Sequence, residues 1–142
     1  MTHPTCQAAY ATTTPLNGAV SIEPCRRIVE ALADSHPGVP VIGFPRGAGA
    51  KYKHYAEATG VHAMAVDQAT PMSVVRGQCP GLALQGNLDP LYMVLGGDAL
   101  RDEAQRICRE MQGHPHIFNL GHGITPDADP ANVDVLLKAI RG

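Results

Sequence analysis

Residues 116–124 read His-Ile-Phe-Asn-Leu-Gly-His-Gly-Ile, an apolar run that ends in a histidine bracketed by two glycines. Gly121 and Gly123 carry no Cβ, so backbone around His122 can turn sharply and approach a ligand closely. An imidazole can act as a cation, a proton donor or a hydrogen-bond partner near neutral pH. A strand that delivers such a group into a tight loop is how parallel α/β enzymes mount chemistry. The same residues would equally suit a surface-loop histidine between two turn glycines. Residues 82–90 repeat the design: Leu-Ala-Leu-Gln-Gly-Asn-Leu-Asp-Pro is an apolar run entering a polar, glycine-containing loop with Gln85 and Asn87 around Gly86. A third instance places Arg46 just after the apolar run 39–44, and Asn119 lies close enough to His122 to brace its loop. Asp67 closes the run 62–66, where it reads as a cap for the following turn.

The elements that must position these groups alternate between helix and strand. Ser21 and Pro24 open a helix whose face is Cys25, Ile28, Val29 and Leu32, at the spacing of one helical stripe. The sequence predicts a strand over 39–44, a helix over 50–59 that stops at Gly60, and strands over 62–66, 82–85 and 117–120. Thr70-Pro71 opens a short turn or helix. Asp98 reads as the N-cap of a helix running to Gly113, with Leu100, Ala104, Ile107 and Met111 on one face. Asp129-Pro130 opens the last helix, with a face of Val133, Leu136, Leu137 and Ile140. Continuous apolar strands separated by helices argue for a parallel sheet in an α/β fold. In such sheets function sits at the C-terminal ends of the strands, where the polar groups cluster here.

Composition narrows the function. The chain has 142 residues, enough for one domain, with 44% hydrophobic and 17% charged residues and a net charge of −2. Neither a nucleic-acid surface nor disorder is indicated, and 4% aromatics without Trp make base-stacking platforms a poor fit. The four cysteines, Cys6, Cys25, Cys79 and Cys108, form no Cys-x-x-Cys pair and no zinc-type spacing with histidine. Cys108 falls in a helical stripe and reads as core. No apolar stretch reaches membrane-spanning length, and no secretory signal is visible, so a cytoplasmic protein with reduced thiols is expected. Residues 1–20, rich in Thr, Ala and Pro, are expected to be a disordered leader, with the folded domain over 21–142. A flavodoxin-like binding domain is a generic alternative, but Gly43, Gly47 and Gly49 do not have dinucleotide-fingerprint spacing.

The stretches "VPVIGFPRGAG", "LALQGNLDP" and "IFNLGHGITP", in this order and at this spacing, resemble uroporphyrinogen decarboxylase, from about Arg26 to Gly142. The resemblance implies a (β/α)8 barrel, of which this chain matches the last four strands; a whole barrel needs roughly 200 residues or more. It implies removal of carboxyl groups from the four acetate side chains of uroporphyrinogen III, giving coproporphyrinogen III in porphyrin biosynthesis, with no cofactor. Protonating a pyrrole carbon makes the substrate its own electron sink. It further implies a tetrapyrrole partner, and either a homodimer or the missing N-terminal half. His122 matches the family histidine that faces the substrate; Arg46, Gln85, Asn87 and Asn119 are the other expected contacts. The family's arginine-rich segment, its pyrrole-gathering aspartate, and its mid-barrel tyrosine and serine have no counterpart here. Gln68-Ala69 stands where the family usually has Trp-Thr. Two readings therefore stand beside an active decarboxylase. One is an inactive truncated fragment or subunit. The other is a cobamide-dependent methyltransferase relative, which would need a His-x-Cys pair that none of the seven histidines supplies.

Overall fold

The computed structural model describes residues 21–142, and the expectation for residues 1–20 lies outside them. Helix α1 (Glu23–Ser35) leads into strand β1 (Ile42–Gly43). A single 3₁₀ turn and α2 (Tyr52–Thr59) precede β2 (Ala63–Val66), and α3 (Met72–Gln78) precedes β3 (Ala83–Leu88). Two helices, α4 (Leu91–Leu95) and α5 (Gly97–Glu110), connect to β4 (His116–Leu120), and α6 (Ala131–Arg141) follows. The strands form one sheet in sequence order, β1-β2-β3-β4, with every pairing parallel. This is the α/β arrangement expected of part of a (β/α)8 barrel.

Strand alternation sorts the side chains onto two faces. Met64, Val66, Leu84 and Leu88 are almost wholly buried beneath the helices. The first three pack with Tyr52, Met72 and Val75, while Leu88 joins Met93, Leu100 and Ile107 in a second cluster under α4 and α5. Ala65, Gln85 and Asn119 lie on the other face, which stays open; the register sets Ala65 opposite Gln85 and Asn87 opposite Asn119.

The apolar stripes read from the sequence are present, but only some are covered. On α5, Leu100, Ala104, Ile107 and the following Met111 are all buried, as expected. On α1 only Val29 is buried, while Ile28 and Leu32 stand exposed, and α6 buries none of its residues. The edge strands are also bare: Ile42 on β1 is 41% exposed and Ile117 on β4 is 45% exposed. No helix among the described residues is long and apolar enough to cross a membrane.

Several boundaries differ from the sequence reading. Strand β1 is two residues long, because only Ile42 and Gly43 pair with β2. Strand β3 runs to Leu88, three residues past its expected end at Gln85, so Gly86 and Asn87 are strand residues and not loop residues. The N-cap position of α1 is Ile22, one residue past the expected Ser21, and α5 begins after Gly96, leaving Asp98 inside its first turn. There Asp98 pairs with Arg101 near the helix's positive end, a favourable place for a carboxylate. Helix α4 has no counterpart among the elements that the sequence predicts. It is opened by Asp89, whose Oδ1 accepts the Leu91 N–H at 2.9 Å, in the same way that Asp129 accepts the Ala131 N–H at 2.9 Å before α6.

Candidate active site at the strand ends

The C-terminal ends of the four strands converge, and Asp67 is where they meet. This carboxylate is 3% exposed. Its Oδ2 accepts the Gly47 N–H at 2.7 Å and the Tyr52 hydroxyl at 3.1 Å, and its Oδ1 accepts the Ala69 N–H at 2.9 Å. Ala69 is the turn-capping contact expected from sequence; Gly47 lies twenty residues away in the loop after β1. The Asp67 N–H in turn donates to Tyr52 Oη at 3.3 Å. Burial, reinforced by the neighbouring carboxylate, pushes the Tyr52 phenol well above its usual range, so it remains a donor to Asp67.

Strand β3 and the loop after β4 reach the same point. Asn87 is buried and its Nδ2 donates to the carbonyls of Asp67 at 3.2 Å and Thr70 at 2.7 Å, which leaves Asn87 Oδ1 buried with no partner in the structure. A Cβ on Gly86 would lie 2.5 Å from the Val66 carbonyl oxygen, and one on Gly121 would lie 2.3 Å from the Gln68 nitrogen. Both contacts are far inside van der Waals range, so only glycine lets these backbones touch. The Gly121 N–H also donates to the Leu88 carbonyl at 2.7 Å. The glycine bracket thus has an asymmetric purpose: Gly121 admits the chain itself, whereas a Cβ on Gly123 would meet nothing within 4 Å.

His122 follows Gly121 directly and is exposed. It lines a cavity of about 960 Å³ on the open face of the sheet together with Gln85 and Asn119. The rest of the wall is mostly apolar and includes Ile28 and Leu32 of α1 and Val133 and Leu136 of α6. A large apolar cleft carrying a few polar groups is the usual form of a ligand site. Asn119 Oδ1 accepts the adjacent Leu120 N–H at 2.8 Å, so its amide group is held locally while it faces the cleft. Arg46 is exposed in the loop pinned by Asp67 and does not belong to the cavity wall, and neither does Asn87. Three of the expected residues are therefore gathered on one wall, Asn87 braces the strand ends, and Arg46 stands beyond the wall in the loop after β1.

Other histidines serve the scaffold. His116 Nε2–H donates to the Gly86 carbonyl at 2.8 Å, and burial holds this imidazole below the usual histidine range despite that bond. His114 Nε2–H donates to the Leu82 carbonyl at 2.9 Å. Cys108 is only half-buried and belongs to neither core cluster, a correction to the core role expected from its place in the helical stripe; the burial it has pushes its thiol up. Among the described residues no group of three or more His, Cys, Asp or Glu could hold a metal ion.

The family model for uroporphyrinogen decarboxylase (URO-D) matches residues 18–142. This chain belongs to the uroporphyrinogen decarboxylase family. It is 52% identical over 123 residues to the uroporphyrinogen decarboxylase of Ruegeria pomeroyi, covering 85% of this chain and 36% of that protein. The enzymes of that name from a Jannaschia species and from Paracoccus denitrificans are each 50% identical, with the same 36% of their length matched. The chain thus spans about a third of the length of the curated relatives it matches, and the match falls on their C-terminal portion. Within this uroporphyrinogen decarboxylase-family fold, Asp67 and Tyr52 are the residues that the sequence reading undervalued. An acidic residue that ends a wholly buried strand was the available signal; its partner twenty residues back was not visible without the fold.

Proposed function

We propose that this chain supplies the C-terminal half of a uroporphyrinogen decarboxylase barrel and works only with the complementary N-terminal half. The reaction is removal of the acetate carboxyl groups of uroporphyrinogen III to give coproporphyrinogen III, without a cofactor, in the cytoplasm. The observation that carries this reading is the convergence of His122, Gln85 and Asn119 on one cleft at the strand ends, in a chain of this family. A protonated pyrrole ring accepts the electrons released as CO2 departs. The protein's task is to hold a polyanion, manage protons and exclude water from the reacting acetate.

In this reading His122 contacts a substrate carboxylate or pyrrole, and Gln85 and Asn119 supply neutral hydrogen bonds along the same wall. Arg46, one residue from the Gly47 anchor, meets a carboxylate of the substrate periphery once the mouth is complete. Asn87 orders the strand ends beneath them. The bare edges β1 and β4, with the exposed apolar residues of α1 and α6, are consistent with a second half-barrel closing the sheet.

The test is to produce this chain together with a polypeptide covering the remaining N-terminal part of the Ruegeria pomeroyi relative. The pair is then incubated anaerobically with uroporphyrinogen III. Products with fewer carboxyl groups are expected from the pair and not from this chain alone. An associated, soluble pair that yields none would refute the proposal.

A further inference from the structure

We infer that Asp67 is a positioning residue for the whole mouth, locking the loop that carries Arg46 and the loop that carries His122 into one geometry. The inference rests on reading the mouth as the substrate face, as proposed above. It stands on four connections to one buried residue and its neighbour. Asp67 Oδ2 anchors Gly47, next to Arg46, at 2.7 Å. The same oxygen anchors the Tyr52 hydroxyl at 3.1 Å, fixing the start of α2. The Asp67 carbonyl receives Asn87 Nδ2 at 3.2 Å, which ties in the end of β3. Gly121, next to His122, is seated on the peptide joining Asp67 to Gln68, where a Cβ would stand 2.9 Å from the Asp67 carbonyl carbon.

The chemistry suits a lock. Apart from the Tyr52 phenol, the donors that meet this carboxylate are backbone N–H groups, each of which can donate in one direction only. Hydrogen bonds to a buried carboxylate are about twice as strong as neutral ones. Losing the charge weakens three bonds at once and loosens the strand end on which both loops rest, although Arg46 and His122 are 76 residues apart in sequence. No contact between those loops themselves is needed, because both rest on the same strand end.

The experiment uses the full chain labelled with 15N, comparing Asp67→Asn, Tyr52→Phe and the control Asp129→Asn, which alters only the start of α6. Asp67→Asn is expected to shift the backbone amides of residues 46–48 and of residues 121–123 together. Tyr52→Phe, which keeps the carboxylate, moves the same two sets less, and Asp129→Asn moves neither. If Asp67→Asn does not fold, Tyr52→Phe decides. Unperturbed amides at 121–123 in a folded variant overturn the inference. In the assembled enzyme, Asp67→Asn is expected to lower kcat by about 10- to 100-fold, the size of effect known for misplacing a site by roughly 1 Å, with KM changed by less than about threefold. An unchanged kcat overturns the inference, whereas a wild-type pair without turnover refutes the proposed function and leaves the amide shifts to judge the lock.

Discussion

The two glycines around His122 differ sharply in what a side chain would meet there. An ideal Cβ on Gly121 would stand 2.3 Å from the Gln68 nitrogen and 2.9 Å from the Asp67 carbonyl carbon. The nearer contact is roughly 1 Å short of ordinary van der Waals separation. Both obstacles are backbone, at the end of a buried strand, so neither can swing away as a side chain would. Gly121→Ala must therefore move the His122 loop off β2 by about 1 Å, stretching the Gly121 N–H bond to Leu88. Overpacking of this kind costs about 1–3 kcal/mol. With a urea slope of about 1.5 kcal/mol/M, a loss of about 2 kcal/mol lowers the unfolding midpoint by roughly 1.3 M. Gly123→Ala is the control. Its Cβ meets nothing within 4 Å and its backbone is not in the left-handed region, so its stability should match wild type to within about 0.5 kcal/mol, a midpoint shift of roughly 0.3 M or less. Urea titration followed by far-UV circular dichroism measures both. Equal midpoints for the two variants would refute the idea that Gly121 exists to admit the Asp67–Gln68 backbone.

Two further perturbations follow from packing and protonation. Leu84, with no exposed surface beneath α2 and α3, should cost about 2–5 kcal/mol when cut to Ala, read as a lower urea midpoint. His116 is held below the ordinary histidine range chiefly by burial. The unfolded chain therefore takes up this proton first, near pH 6.5, and the folded chain only at lower pH. Stability from this group is complete above about pH 6.5, declines as pH falls below it, and levels off once the folded ring is protonated. His116→Gln should flatten that part of the wild-type profile between pH 7 and pH 5; identical profiles would contradict it.

Much of the fold was legible because it is local. The helix over 52–59 ends at Gly60, the stripe of α5 is buried residue for residue, and the parallel sheet follows from apolar runs spaced by helices. The continuation of β3 past Gln85 was not legible. Gln85, Gly86 and Asn87 carry the composition of a loop, yet Gly86 lies flush against Val66 and Asn87 satisfies carbonyls of the neighbouring turn. Helix α4 is too short to show a period, although Asp89-Pro90 is the same opening that the sequence reading recognised at Asp129-Pro130. The stripes of α1 and α6 were recognised as apolar, but what covers an apolar stripe is a tertiary fact, and among the described residues Ile28, Leu32 and Val133 remain exposed. The site divides in the same way. His122, Gln85 and Asn119 could be picked out by type and strand position, whereas the clasp of Asp67 on Gly47 joins residues whose proximity only the sheet creates.

The most direct test of the central claim is His122→Ala in the chain paired with its complementary half, assayed anaerobically with uroporphyrinogen III. His122 is exposed, so the variant should fold and associate like wild type. If the cleft at the strand ends is the substrate face, decarboxylation should fall by at least about tenfold, the scale of losing one charge-assisted substrate contact. Turnover and substrate affinity equal to wild type would contradict it.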